Sequence, residues 1–169
     1  GGSGDDTLDG AGGSDNADYW AITGVSVPPS PASKSARSSA RHRAREVALQ
    51  ALYAWKLAGG DALAHAQTLQ GWERCDQEFA AELIAQVVKN NDVLEKSIAP
   101  CLDRSLASLS PVERVIMLIG THELAARPET PFKVVLNEAI ELGKSFGGTD
   151  GHKFVNGVLD KLAAVTRAA

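Results

Sequence analysis

Long apolar runs, cysteine and aromatic side chains are all scarce in this chain of 169 residues. No apolar stretch reaches the roughly 18 residues that a bilayer-spanning helix requires, and no basic-then-apolar signal peptide precedes the rest. The two cysteines, Cys75 and Cys101, make neither a disulfide framework nor a metal-binding motif. Together these absences predict a soluble, cytoplasmic protein whose thiols stay reduced.

Aromatic residues make up 5% of the chain, whereas hydrophobic residues as a whole make up 44%. The hydrophobic fraction is sufficient for a real core, and the plentiful alanine favours helices. β-Sandwiches depend more on aromatic and β-branched residues. The composition therefore predicts a helical protein, and the length predicts one domain with an additional tail.

Enzyme and metal-site signatures are missing as well. The tripeptide GKS at residues 143–145 is similar to the end of a phosphate-binding loop, but Glu138 stands where that loop requires its first glycine. Glu138 and Glu141 are interpreted as an exposed helix face, and His122 as a core histidine. The histidines outside the basic stretch have no cysteine or acid at metal-ligand spacing. We therefore expect no catalytic residue, no metal and no cofactor.

Charge is segregated by sign along the chain. Residues 1–33 contain five acids and no base, and residues 34–45 contain five bases and no acid. Residues 46–169 carry 12 bases and 16 acids. The net charge of -4 therefore hides one short cationic segment. This pattern indicates a local contact with a polyanion such as nucleic acid, although a solvated basic tail has the same composition.

Residues 1–33 differ in composition from the rest. Residues 1–9, GGSGDDTLD, match a calcium-binding nonapeptide at every fixed position, and residues 10–18 match a second copy loosely. The segment resembles two turns of a parallel β-roll, which needs about three or more stacked repeats. We therefore expect a disordered Gly/Asp-rich tail, continued by a Pro-rich linker, without tight calcium binding. Residues 34–169 are predicted to form the folded domain.

The cationic segment leads directly into an amphipathic helix. Apolar residues at spacings of three and four form adjacent rows on one face of residues 44–58. Ser38 or Ser39 is expected to cap this helix, and Gly59 to end it. Positive charge near a helix N-terminus opposes the macrodipole, so a polyanionic ligand explains it better than helix stability does.

Cap and turn signals predict further helices downstream. Asp61 and Asp76 are expected N-caps, and the Asn90-Asn91 pair is expected to break or bend the third helix. Ser110 before Pro111 is a strong helix start, and Thr130 before Pro131 repeats the device.

The helix after Ser110 is apolar nearly all round, which places it in the centre of a bundle. Gly120 is expected to let a neighbouring helix approach closely. Helical spacing predicts that Phe146 and Val165 face inward on the last two helices. The fold class is therefore an all-α bundle of about six or seven helices joined by short loops.

Three blocks of sequence carry a family resemblance: ARHRAREVALQALYAW at 40–55, LSPVERVIMLIGTHEL at 109–124 and PFKVVLNEAIELGKSFGGTDGHKFVNGVLDKLA at 131–163. They are similar to the NusB family of transcription antitermination factors over roughly residues 36–166. The resemblance implies two packed helical sub-bundles and a non-enzymatic role. It also implies a partner, the small-subunit ribosomal protein NusE, with which the family binds boxA leader RNA. The pair helps to assemble an antitermination complex on RNA polymerase, notably on ribosomal RNA operons.

Single-stranded RNA is usually bound by cations on phosphates and by aromatic or amide groups on bases. The first helix supplies Arg41, Arg43 and Arg45, with His42 beside them and Gln50 further along. Family members often have arginine at the position of His42. An imidazole there weakens the electrostatic attraction and makes RNA binding sensitive to pH.

The start of the last helix is the second expected RNA-binding segment. A helix N-terminus offers free N–H groups to phosphate, Lys153 adds charge, and Phe154 is a candidate for stacking on a base. Asp150 is expected to cap the helix, and by the resemblance to lie at the RNA. The alternative is that Asp150 is only a cap and Phe154 only a core residue.

The central helix and its flanks are the expected NusE surface. Glu113, Arg114 and Glu123 are the candidates on that helix, and Tyr53 is the candidate on the first. For Tyr53 the alternatives are core packing or a base contact. For Arg114 and Glu123 the alternative is solvated helix charge, which contributes little.

Two other functions fit a helical domain. A similar helical fold precedes the catalytic domain of ribosomal RNA cytosine methyltransferases, so an accessory domain of such an enzyme is one alternative. A helical scaffold that binds only protein, with an idle basic run, is the other. RNA binding with and without NusE separates these from an RNA-binding adaptor.

Overall fold

The structure, a computed structural model, describes residues 34–148 and 150–167. The predicted tail, including its resemblance to calcium-binding repeats, lies outside these residues. The described part contains three short 3₁₀ helices and no strand. Its seven α-helices are α1 (Lys34–Ala58), α2 (Ala62–Gln67), α3 (Gln77–Lys89), α4 (Asn91–Ile98), α5 (Pro111–Ala126), α6 (Phe132–Phe146) and α7 (Gly151–Arg167). The predicted all-α class is confirmed.

Helix α5 forms the centre of the domain. All ten residues from 115 to 124 are buried, and the helix contacts α3, α4, α6 and α7. Its start is as predicted, since the Ser110 hydroxyl accepts a hydrogen bond from the Glu113 N–H at 3.2 Å and Pro111 is the first helical residue. A helix buried all round suits this central place.

Helix α7 lies close along α5 and runs parallel to it. Its first residue, Gly151, lies against Glu113, and its last, Arg167, reaches the carbonyl of Leu124. Gly120 makes this approach possible, because a Cβ there would lie 2.8 Å from the Leu159 side chain. The predicted role of Gly120 is confirmed.

Arg167 closes the C-terminal end of α5. Its guanidinium donates to the carbonyls of Glu123, Leu124, Arg127 and Thr130 at 2.8–3.3 Å. The last carbonyls of a helix have no partner within the helix, so an outside donor stabilises this end.

Helix α1 begins earlier than predicted. It is helical from Lys34, four residues before Ser38, so neither serine is its N-cap. Ser39 instead lies within the helix, where its hydroxyl accepts a hydrogen bond from Arg43 Nη1 at 3.1 Å. The many alanine and arginine residues here are strong helix formers, which outweighs the cap preference of serine.

The other boundaries follow local signals in most places. Asp61 and Asp76 cap α2 and α3 through their carboxylates, and Asn90 separates α3 from α4. The prediction for Thr130 is wrong, because Pro131 occupies the cap position of α6 and no side chain caps that helix.

Two predicted core residues face solvent. Phe146 is 37% exposed and Val165 is 76% exposed. Both lie in the last turn or two of their helices. Helical spacing locates the inward face of a helix but not the point at which the neighbouring helix ends.

Candidate nucleic-acid interface

Arg41, Arg43 and Arg45, which lie two to three turns into α1, do not form one cluster. Successive helix residues are rotated by about 100°, so Arg41 and Arg43 point in different directions. Arg41 lies 3.7 Å from the Asp76 carboxylate and stays 41% exposed at its side chain. The exposed Arg43 donates through Nε to the carbonyl of Arg74 at 2.8 Å. Both keep cationic surface available to a ligand.

Arg45, in contrast, is part of the core. It is 4% exposed, and its Nε and Nη2 donate to the two carboxylate oxygens of Glu123 at 2.8 and 2.7 Å. A second carboxylate, that of Glu138, lies 3.3 Å from Nη1. Burial alone would lower the pKa of Arg45, but the hydrogen bonds and charges of the two carboxylates outweigh burial and raise it. Each of the three guanidinium nitrogens thus has a carboxylate oxygen within 3.3 Å.

Glu138 joins Arg45 to His42. Its Oε1 lies 2.7 Å from His42 Nδ1, and the other ring nitrogen of His42 lies 3.5 Å from Glu46. The interpretation of Glu138 as part of an exposed face is therefore wrong, since its side chain is 19% exposed and bridges α6 to α1. The ring of His42 is thus held in place between two carboxylates.

Phe79 of α3 lies beneath three guanidinium groups. Those of Arg41, Arg45 and Arg127 are 4.8, 5.0 and 4.7 Å from its ring centroid. Cations are attracted to the face of an aromatic ring, and this buried ring fixes the direction of Arg41. No pattern in the sequence indicated these cation contacts.

The start of α7 forms a second charged segment. Lys153 Nζ lies 3.5 Å from Asp150 Oδ1, and both side chains are largely exposed. Backbone N–H groups of Lys153 and Phe154 bond to the carbonyl of Asp150. Phe154 is half-buried, and the Arg104 guanidinium lies 4.4 Å from its ring centroid. Arg104 was not among the predicted site residues.

The two segments lie toward different ends of α5. Arg45 contacts Glu123, whereas a Cβ on Gly151 would be 2.8 Å from Glu113 Oε2. Ten residues of helix separate the two glutamates, a rise of about 15 Å. An RNA strand that contacts both segments must extend over that distance.

The predicted partner residues also separate into surface and core. Tyr53 is 36% exposed, whereas Glu123 is 1% exposed and holds Arg45. Arg114 donates to Glu95 Oε2, which also accepts from Lys56 at 2.9 Å. Gln50, which was predicted to bind RNA, lies one turn before Ala54 on α1. It is exposed, and its side chain donates to the carbonyl of Glu46.

A groove of about 200 Å³ lies beside Lys56 and Arg114. Leu57, which is 61% exposed, lines it together with Ala107, Leu109 and Pro111. Tyr53 lies one helical turn before Leu57 on α1, so their side chains share a face. The groove thus combines an exposed apolar strip with two cations.

His122 is buried, as predicted, and burial lowers its pKa. Among the described residues there is no group of three or more His, Cys, Asp or Glu side chains that could hold a metal ion. No helix in residues 34–148 and 150–167 is long and apolar enough to cross a membrane.

Arg45 could have been recognised as a core residue. It precedes Leu49 by four residues and Leu52 by seven, which places it on the apolar face of α1. A buried arginine requires carboxylate partners, so the acidic residues of the central helices are the candidates for the partner of Arg45. Their identity as Glu123 and Glu138 follows only from the fold.

Known proteins resemble this chain in sequence and in fold. The model of the NusB family matches residues 42–164. The chain belongs to the NusB family. The transcription antitermination protein NusB of Bordetella pertussis is 51% identical over 138 residues, which cover 78% of this chain and 90% of that protein. Its counterpart in Aromatoleum aromaticum is 48% identical over 132 residues, which cover 76% and 91% of the two chains.

Solved structures of the family share the fold. The NusB of T. maritima superposes with a TM-score of 0.66 at 30% identity, over 73% of this chain and 89% of that one. A crystal structure of NusB and NusE in complex with double-stranded RNA superposes with a TM-score of 0.65 at 25% identity. That match covers 73% of this chain and 96% of the solved chain.

Proposed function

We propose that this NusB-family protein is a transcription antitermination factor that binds boxA leader RNA together with NusE. In that role it promotes transcription of ribosomal RNA operons within an RNA polymerase antitermination complex in the cytoplasm. The observation that carries the proposal is the match to antitermination proteins over nearly the whole helical domain, at about half identity. We propose no catalytic activity and no cofactor.

RNA contacts are assigned to the exposed charges around Arg41 and Arg43 on α1 and to those at the start of α7. Arg41 and Arg43 supply phosphate contacts, and His42 and Gln50 add polar contacts beside them. Lys153, whose side chain is largely exposed, supplies the second set of phosphate contacts, with Asp150 and Phe154 alongside. Arg45 acts as a positioning residue. Its guanidinium is buried against Glu123 of α5, so it holds α1, which carries the first set of RNA contacts, against that helix.

The NusE surface is assigned to the groove beside α1. Tyr53 and Leu57 provide an exposed apolar strip, of the kind that anchors protein interfaces. Arg114 lines the groove, and Glu113 lies in the same turn of α5. Glu123 is buried and holds Arg45, so it makes no direct contact with NusE.

The test is a titration of labelled boxA RNA at two salt concentrations, with and without NusE. The unchanged protein with NusE should bind with a steep salt dependence, about −0.7 in log affinity per phosphate contact. The double variant Arg41→Ala/Arg43→Ala should bind more weakly and with a slope smaller by about 1.4, because two contacts are lost. Lys89→Ala removes an exposed charge from the end of α3 and serves as the matched control.

The outcomes separate the alternatives. An unchanged affinity and slope in the double variant would reject the arginine contacts. NusE binding without any RNA binding would favour the protein-only scaffold. Binding of a methyl donor to the full chain would favour a role in RNA methylation.

A further inference from the structure

Arg104 lies over the ring of Phe154, beside the start of α7. It lies in the connection between the 3₁₀ helices Ala99–Cys101 and Leu106–Ser108. Its guanidinium carbon is 4.4 Å from the centroid of the Phe154 ring. Phe154 in turn packs against the hydrophobic core on its inner side. The order from inside to outside is therefore core, phenyl ring, guanidinium and solvent.

The guanidinium keeps most of its binding capacity. Nε donates to Asp103 Oδ1 at 2.9 Å, and within the described part of the chain Asp103 is its one hydrogen-bond acceptor. The Arg104 side chain is 50% exposed and that of Asp103 is 69% exposed. Exposed ion pairs of this kind are weak, so Asp103 orients Arg104 without neutralising it firmly.

This arrangement alters the expected role of Phe154. A base could stack directly on the phenyl ring only if Arg104 moved away, since the core covers the inner side. Half of the Arg104 side chain is exposed, and RNA bases stack on guanidinium planes as well as on aromatic rings. The surface that a base meets here is therefore arginine supported by phenylalanine.

We propose that Arg104 is an RNA-binding residue, whose guanidinium stacks on an unpaired base while Phe154 supports it from below. This inference rests on the proposed function and adds a residue outside the three sequence blocks that resemble the family. Lys153, one residue before Phe154, is available for the adjoining phosphate. Arg104 thus supplies the base contact at the start of α7.

The decisive comparison is between Arg104→Ala and Arg104→Lys in the full chain with NusE and boxA RNA. Because the stacking contact contributes to the binding free energy, the alanine variant should bind RNA about tenfold more weakly. Lysine keeps the charge but lacks the planar face, so the lysine variant should lose most of the same affinity at an unchanged salt slope. Lys89→Ala again controls for loss of one exposed charge.

Phe154→Leu tests the support. It keeps an apolar side chain on the core but removes the ring, so it should weaken RNA binding, and its effect should not add to that of Arg104→Ala. Thermal unfolding of each variant separates a positioning effect from a loss of fold. Arg104→Ala is expected to leave the melting temperature unchanged, because the side chain is half exposed.

The results discriminate clearly. Affinity of Arg104→Ala equal to that of the unchanged protein overturns this inference and leaves the proposed function intact. Full affinity in Arg104→Lys overturns stacking. Failure of the unchanged protein to bind boxA RNA with NusE overturns both the proposed function and the inference.

Discussion

Arg45 on α1 and Lys153 on α7 both have a carboxylate partner, but their environments are opposite. Arg45 is 4% exposed and makes two hydrogen bonds to Glu123, whereas Lys153 and Asp150 are more than 70% exposed at a separation of 3.5 Å. Water screens the second pair and leaves both groups free to exchange partners. The comparison teaches that burial decides whether a cation stabilises the fold or stays available at the surface.

The largest expected effect comes from removing one partner of the buried pair. Glu123→Ala should reduce the free energy of unfolding by about 3–5 kcal/mol, because it leaves the charge of Arg45 buried with only Glu138 nearby. Urea denaturation measures the change. The double variant Arg45→Met/Glu123→Leu is the control, and it should be much closer to the unchanged protein. A similar loss in both variants would show that packing, and not charge pairing, determines the effect.

The contact between α6 and the α7 start should be the next most sensitive. A Cβ on Gly143 would lie 2.9 Å from the Cα of His152, so Gly143→Ala must push the two helices apart. We expect a loss of about 1–3 kcal/mol in urea denaturation. Gly157→Ala is the matched control, because nothing lies within 4 Å of its Cβ position. That variant should be stabilised by up to about 1 kcal/mol through helix propensity.

The Glu95 side chain is less buried than that of Glu123 and less exposed than that of Asp150, and it should make the free energy of unfolding depend on pH. Burial would raise its pKa, but the hydrogen bonds from Lys56 and Arg114 outweigh burial and lower it from its ordinary value of 4.5. A lowered pKa gives stability that is complete above about pH 4.5 and is lost as pH falls through the folded value. Denaturation at pH 7 and at pH 3.5 should show a loss that Glu95→Gln reduces. An equal loss in the variant would contradict the assignment.

The smallest effect on stability is expected at the exposed pair. Lys153→Ala should change the free energy of unfolding by less than about 0.5 kcal/mol, since surface ion pairs contribute little. RNA affinity should nevertheless fall, and the salt slope should decrease by about 0.7, because one phosphate contact is lost. Calorimetry and RNA titration on the same sample measure the two effects. A large loss of stability with unchanged RNA affinity would show that Lys153 stabilises the fold and does not bind RNA.

Short-range features were predictable from the sequence, and long-range pairing was not. Ser110 and Asp76 could be recognised as caps because each acts on an N–H three residues away. The partner of Arg45 lies 78 residues along the chain, beyond the reach of any local pattern. Arg104 was missed for the same reason, since only the fold brings it onto Phe154. The central place of α5 was predictable because a helix apolar on all sides must be covered on all sides.

The cap that Arg167 places on α5 has a consequence for protein engineering. Because one guanidinium binds four main-chain oxygens around the turn between α5 and α6, that turn is held through its backbone. The exposed side chain of Glu129 can therefore be exchanged for a reporter group, with loss of its 3.5 Å contact to Arg127, as long as Arg167 is kept. Replacing Arg167 would instead loosen the turn whatever side chains it carries.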